Sequence, residues 1–505
     1  MKQRRLVLVM FVVLLGLVGW RGLAQETQRA DDPMVAVDRK IFAEVKDNNE
    51  LLANLEYLTD MIGPRLTGTE RLLRANYWTM EMFRKYGLSD VHMEPWTIAH
   101  AWYRGTARGR IVSPAEHVLT LHSAGWSPGT PGAMRGRVVY VAAQREADLE
   151  AYRGKLKGAV VITAEPGILP GPYDVPVLPV LRPMPRRPTP AEVAAVTTDI
   201  GEQRFSRARS DFFRREGVAA VLFDSDKDFG LLNMRGIGGR EYNVGAVPSG
   251  FITAENYRLI WRLLKRGPVE VELEITNSFS DKPIKVYNTV AEIPGSEKPE
   301  EVVILGAHLD SWDLGTGATD NGTGSMAVLE AARALQKLSP RPKRTIRFIL
   351  FSGEEQGLNG SRAYVKAHEA ELAKISGVFV HDSGTGRVLT IGLQNNYQDR
   401  EVMERIVAPL SEVGLFELSL RSGFGTDHAS FNAAGVPGFY CLQDPATYPR
   451  THHSQADTFD RVQKDDLTQG AQVLAAWAYN VAQWAEMLPR TLAPAAGAAR
   501  SGGEE

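Results

Sequence analysis

The chain has 505 residues, 44% of them hydrophobic and 23% charged, with a formal net charge of −2. This is a globular composition, long enough for roughly two to four domains, and it lacks the basic field that would make nucleic acid or an anionic membrane an expected partner. Cys441 is the sole cysteine, so no internal disulfide can form.

At the N-terminus, Lys2, Arg4 and Arg5 precede the apolar run Leu6–Val18, and Gly22 and Ala24 occupy small-residue positions. This pattern predicts an export signal over residues 1–24, cleaved near Ala24, and hence a secreted or periplasmic protein with no stable membrane partner. The run is shorter than the ~20 residues a spanning helix needs. Residues 25–100 read as the helical N-terminal part of a catalytic domain. Leu51, Leu52, Leu55 and Leu58 follow helical spacing, "GPRLTG" (Gly63–Gly68) interrupts it, and a second helix runs on to Gly87 as a C-cap.

Residues 101–282 have a different texture. Short β-branched runs such as "GRVVYVAA" and "GAVVITA" alternate with Gly- and Pro-rich turns, which predicts an inserted β-rich domain. Within it, Pro166–Pro190 is too dense in proline for a regular helix or a central strand and is expected to be an extended surface loop. From 283 to 490 strands and helices alternate: "EVVILGAHLD", "RTIRFILFSGEE", "SGVFVHDSG" and "GVPGFYCLQD" are apolar strands, the last enclosing Cys441 as a core thiol. The fold class is therefore α/β, a mostly parallel central sheet flanked by helices. The tail 491–505 is low in complexity and expected to be disordered.

In such a sheet, functional groups gather beyond the carboxyl ends of the strands. His308 ends one strand, Glu354 and Glu355 follow a second, and Asp382 ends a third. Asp320 lies in the glycine-rich turn before a helix, and His452 and His453 follow the fourth strand. Two imidazoles and three carboxylates on one rim suit a pair of Zn²⁺ ions better than one, with Asp320 as the best bridging candidate. Asp310, two residues past His308, is placed to orient that imidazole through its carboxylate. Asp313 reads as a turn acid.

"HLDSWDLGTGATDNGTG", "FSGEEQGLNGS", "HDSG" and "HHSQADT", with the early "IGPRLTG", together resemble the signature blocks of co-catalytic zinc exopeptidases. The family is the aminopeptidase-like metallopeptidases, in the carboxypeptidase Q branch, whose protease-associated insert matches the β-rich region. The resemblance implies the zinc-exopeptidase fold and a pair of zinc ions. His308 and Asp382 would hold one ion, Glu355 and His453 the other, and Asp320 both, with Glu354 as general base. The ligand in this pattern immediately precedes the Ser of "HS..DT", which selects His453 over His452. "GFGTDHASF" also matches a family block, with Asp427 and His428 either supporting the site or capping a helix. Tyr448, Thr451 and His452 are candidate substrate contacts. His381 departs from the small or amide residue expected before Asp382, and the family's cis peptide would fall at Asp320–Asn321.

The implied activity is hydrolysis of dipeptides or short peptides, with a free amino terminus favoured and a homodimer left open. A true carboxypeptidase would need a fixed cation such as Arg450 or Arg421 for the substrate carboxylate. A glutaminyl-cyclase-like acyltransferase and a non-catalytic binding ectodomain are the other readings. Retention of all five ligand positions and of Glu354 argues against both.

Overall fold

The computed structural model describes residues 33–167, 204–394, 396–419, 425–445 and 448–490. The expected export signal, the tail, Arg421 and nearly all of the Pro-dense stretch lie outside the described residues.

The central sheet has eight strands. Their spatial order is Ser89–Ile98, Ile284–Ile293, Arg344–Phe351, Lys298–His308, Ile375–Val380, Gly438–Gln443, Val388–Gly392 and Glu417–Ser419. The four strands from Arg344–Phe351 to Gly438–Gln443 are mutually parallel. Antiparallel pairings extend the sheet on both sides, so parallel character is concentrated at its centre. Register brings His308 opposite Phe351 and Gly306 opposite Val380, so these strands finish along one edge. Their residues are buried almost without interruption because helices cover both faces. Cys441 is buried in this sheet.

Helix Glu70–Lys85 shows why these segments fold where they do. Thr69 caps it by accepting from the Leu72 amide, Glu70 opens its first turn, Arg84 and Lys85 close its last, and Gly87 turns the chain away at φ 83°. Leu72, Ala75, Thr79 and Phe83 form its buried stripe. Helices Thr323–Leu338 and Lys464–Gln483 are buried along most of their length and pack on each other.

The segment before residue 100 is not helical throughout: Ser89–Ile98 is a strand antiparallel to Ile284–Ile293. It is an edge strand, which is why Pro95 is tolerated and why its sequence gives a weak strand signal. A second eight-stranded sheet takes all its strands from residues 107 to 275 and has a core of its own, built on Ile111, Val160, Leu222, Ile260 and Leu273. Trp126, Met234 and Tyr242, from that same region, are buried instead with the main core.

Candidate active site at the carboxyl ends of the parallel strands

His308 closes its strand, and the backbone bends so that its Nδ1 lies 2.9 Å from the Asp310 carbonyl. A carbonyl only accepts, so Nδ1 carries a hydrogen and Nε2 is the ring nitrogen turned outward. That nitrogen faces Asp382 Oδ1 at 3.2 Å and Asp320 Oδ1 at 3.3 Å. On the other side of Asp320, Oδ2 lies 3.4 Å from His453 Nε2, which is itself 2.9 Å from Glu355 Oε2. The two oxygens of one carboxylate thus address two different imidazoles, each accompanied by a further carboxylate. The side chains of Asp382 and Glu355 are 9% and 2% exposed.

Charge balance also points to a cation. Burial works against the charge of His308, but Asp382, Asp310 and Asp320 outweigh it and raise its pKa. Burial pushes His453 down to about 4, leaving a neutral imidazole. Glu355 is driven well up by burial and then by Asp320. Asp320 Oδ2 is buried without a hydrogen-bond donor. Three buried acids crowded round two imidazoles, one of their oxygens without any donor, form an arrangement that a bound cation would relieve, and the residues present fit a metal centre.

The chain after His308 is shaped around this cluster. Gly317 is left-handed at φ 66°, and a Cβ there would collide with Ser311. The Asp320–Asn321 peptide is cis. Asp457 holds the turn from the far side, accepting from the Thr319 amide (2.6 Å), the Thr319 hydroxyl (2.8 Å) and the Asp320 amide (3.2 Å). Burial, then the nearby Asp320, push Asp457 up to about 7. Arg65, fully buried, donates to the carbonyls of Leu309, Thr316 and Gly317 at 2.7–2.8 Å. Burial lowers Arg65 to about 10, against the pull of Asp457 and Asp310, so it remains charged.

Several residues take places other than those expected. The Asp310 carboxylate is 3.6 Å from His308 Nδ1, and the orienting bond comes from the Asp310 carbonyl instead. The carboxylate accepts from the Thr67 hydroxyl at 2.9 Å and from the amides of Glu354 and Glu355 at 3.3 and 3.4 Å. Its work is therefore to hold the two glutamates. Thr451 is buried, with its hydroxyl 2.8 Å from that of Thr319, which makes it a brace and not a substrate contact. Asp313 is no free turn acid: it forms a two-pronged ion pair with Arg104, at 2.7 and 2.8 Å, reaching from the β-rich region.

Asp427 precedes a short helix without capping it, and burial pushes it up to about 7. His428 is buried against Tyr440. His381 is buried too, and its carbonyl accepts from the Asn321 side-chain Nδ2, so the departure seen in sequence falls beneath the site. His452 stacks on His453 at 3.7 Å and remains 45% exposed at the rim, with Tyr448 5.0 Å away. Glu354 has no hydrogen-bond or ion-pair partner for its carboxylate among the described residues, and burial raises its pKa. Arg450, a candidate carboxylate reader, instead faces Asp228 at 3.6 Å.

The loop carrying His453 is gripped by the β-rich region. Lys227 Nζ donates to the Pro449 carbonyl at 3.1 Å. The Leu232 amide donates to Gln455 Oε1 at 2.8 Å, and Gln455 Nε2 donates to the Gly230 carbonyl at 3.2 Å. Local sequence pattern assigns no role to Asp457, Arg65 or these clamps. Asp457 and Arg65 lie inside quoted motifs, which was their only visible signal.

Residues 288–478 match the model of peptidase family M28. Carboxypeptidase Q of Pongo abelii is 32% identical over 452 residues, spanning 88% of each chain. The chain belongs to peptidase family M28. A solved peptidase M28 precursor from Shewanella amazonensis SB2B shares 28% identity, covers 92% of this chain and 100% of its own, and superposes with a TM-score of 0.75. A zinc aminopeptidase from Bacillus subtilis, 22% identical with a TM-score of 0.61, covers 85% of this chain and 94% of its own and shares the fold. This M28 protein is accordingly a peptidase, a hydrolase of the metallopeptidase class, and zinc is the metal its family implies.

Proposed function

We propose that this M28 peptidase is an exported exopeptidase that cleaves dipeptides or short peptides, favouring a free amino terminus. It would hold two zinc ions, His308 and Asp382 on one, Glu355 and His453 on the other, and Asp320 on both. The observation that carries this reading is the placement of the two Asp320 oxygens between two separate imidazole–carboxylate pairs. When bound, zinc supplies Lewis-acid polarisation of the scissile carbonyl and a more acidic water.

The chain supplies the proton handling. Glu355 is committed to His453 and to the Trp312 amide, whereas the Glu354 carboxylate is uncommitted. Glu354 takes the proton from the attacking water and delivers it to the leaving amine. The Asp310 carboxylate fixes both glutamates through their amides, so base and ligand keep their separate tasks. His452 and Tyr448 stand at the rim, where substrate enters. Export rests on the basic and apolar pattern of residues 1–24.

The test is hydrolysis of a free dipeptide, followed by mass spectrometry, with and without a chelator. Glu354→Gln is expected to lower kcat by about 10³-fold while retaining two zinc ions per chain by elemental analysis. Near-normal turnover by that variant would remove Glu354 as the base. Chelator-insensitive cleavage would overturn the metal mechanism.

A further inference from the structure

Lys227 follows strand Ala220–Asp224 of the β-rich region and is 9% exposed. Its Nζ donates to the Pro449 carbonyl, four residues ahead of His453. An ammonium has three donors, and no carboxylate pairs with this one among the described residues. Its neighbour Asp228 faces Arg450.

Arg235 precedes Gly236, which packs on the Trp312 ring that lies 5.9 Å from His453, and its charge acts on both Lys227 and His453. It is exposed, and its guanidinium has no partner among the described residues. Burial, and then Arg235, push Lys227 down to about 8, so it is still largely charged at neutral pH. An unpaired buried ammonium is unfavourable, and a second cation beside it adds to the penalty. Arg65, the other buried cation nearby, has a carbonyl on each of its three guanidinium nitrogens and is 0% exposed, which closes it to ligands. Two cations with no carboxylate partner among the described residues therefore lie beside the loop that carries His453, in an arrangement that an anion would relieve. The anion every unblocked peptide carries is its terminal carboxylate.

We propose that Lys227, assisted by Arg235, is the specificity-determining group that binds the C-terminal carboxylate of the dipeptide substrate. This rests on the exopeptidase reading above. It assigns carboxylate recognition to the β-rich region, not to Arg450. A purely structural Lys227, acting as a bolt on Pro449, is the competing account.

The experiment is steady-state hydrolysis of Ala-Leu, Ala-Leu amide and Ala-Glu amide by the full zinc-loaded chain. Wild type would be compared with Lys227→Gln, Lys227→Arg and Arg235→Gln. Gln keeps a donor for Pro449 but carries no charge. Lys227→Gln is expected to raise KM for Ala-Leu by about 10- to 100-fold with little change in kcat. The loss on Ala-Leu amide should be at least about tenfold smaller, and Lys227→Arg should restore part of the difference. Arg235→Gln, at an exposed position, should shift KM in the same direction by a smaller factor, and it stands in if Lys227→Gln does not fold.

Equal losses on acid and amide would overturn the proposal in favour of the bolt. Lys227 dependence confined to Ala-Glu amide would move the lysine to an acidic side-chain pocket and also overturn it. Failure of wild type to cleave any of the three would overturn the exopeptidase reading, and this proposal with it. Cleavage without preference for the free carboxylate would overturn this proposal alone.

Discussion

Asp457 is not among the proposed zinc ligands, yet it fixes the position of Asp320. Its carboxylate takes two amides and a hydroxyl from the turn. Asp457→Asn removes one acceptor and the charge, leaving a buried donor unmet. Zinc affinity, measured by chelator competition, is expected to fall about 10- to 100-fold, with the fold intact by circular dichroism.

A second residue bears on pH. Asp399 is buried with neither carboxylate oxygen hydrogen-bonded, and burial pushes it up to about 8. In the unfolded chain it ionises near the ordinary carboxylate value. Between that value and about 8, the unfolded state therefore binds fewer protons than the folded one, and stability falls as pH rises. Asp399→Asn removes this penalty. Its Tm should exceed that of wild type at pH 8 and converge on it towards pH 4. A constant difference across that range would show that Asp399 does not titrate as described.

At the scale of elements, the strands that carry the site were legible because each is a β-branched or aromatic run ending in a polar residue. His308, the Glu354–Glu355 pair and Asp382 stood out for that reason, and register then gathers them on one edge. The supports were not legible. Arg65 works by meeting carbonyls of a loop some 250 residues away, a pairing that local pattern does not encode. Thr451 was misplaced because the short helical turn Tyr448–Thr451 rotates it inward towards Thr319, which sequence spacing cannot reveal. Asp310 shows a subtler gap: the residue expected beside His308 is there, but backbone and side chain exchange tasks.

Over the whole molecule, the β-rich region is joined to the catalytic sheet by specific polar contacts as well as by packing. The Arg104–Asp313 ion pair is better enclosed than the Arg450–Asp228 pair, with side chains 12% and 15% exposed and the guanidinium over Trp102. Arg104→Ala leaves Asp313 without its counter-ion and should lower the unfolding free energy by roughly 3 kcal/mol, read by denaturant titration. Replacing both partners together should cost less than the sum of the single changes. No described helix is long and apolar enough to cross a membrane.

The grip of residues 227–232 on the loop from Pro449 to Gln455 has a further consequence. That loop presents His453, so whatever draws His453 towards Asp320 also favours the seated position of the β-rich region. By reciprocity, seating that region favours cation capture by the same factor. With zinc held as proposed, the region is a thermodynamic partner of that centre. Cutting it away would register as a protein that loses zinc on dilution, even with every ligand residue still in the chain.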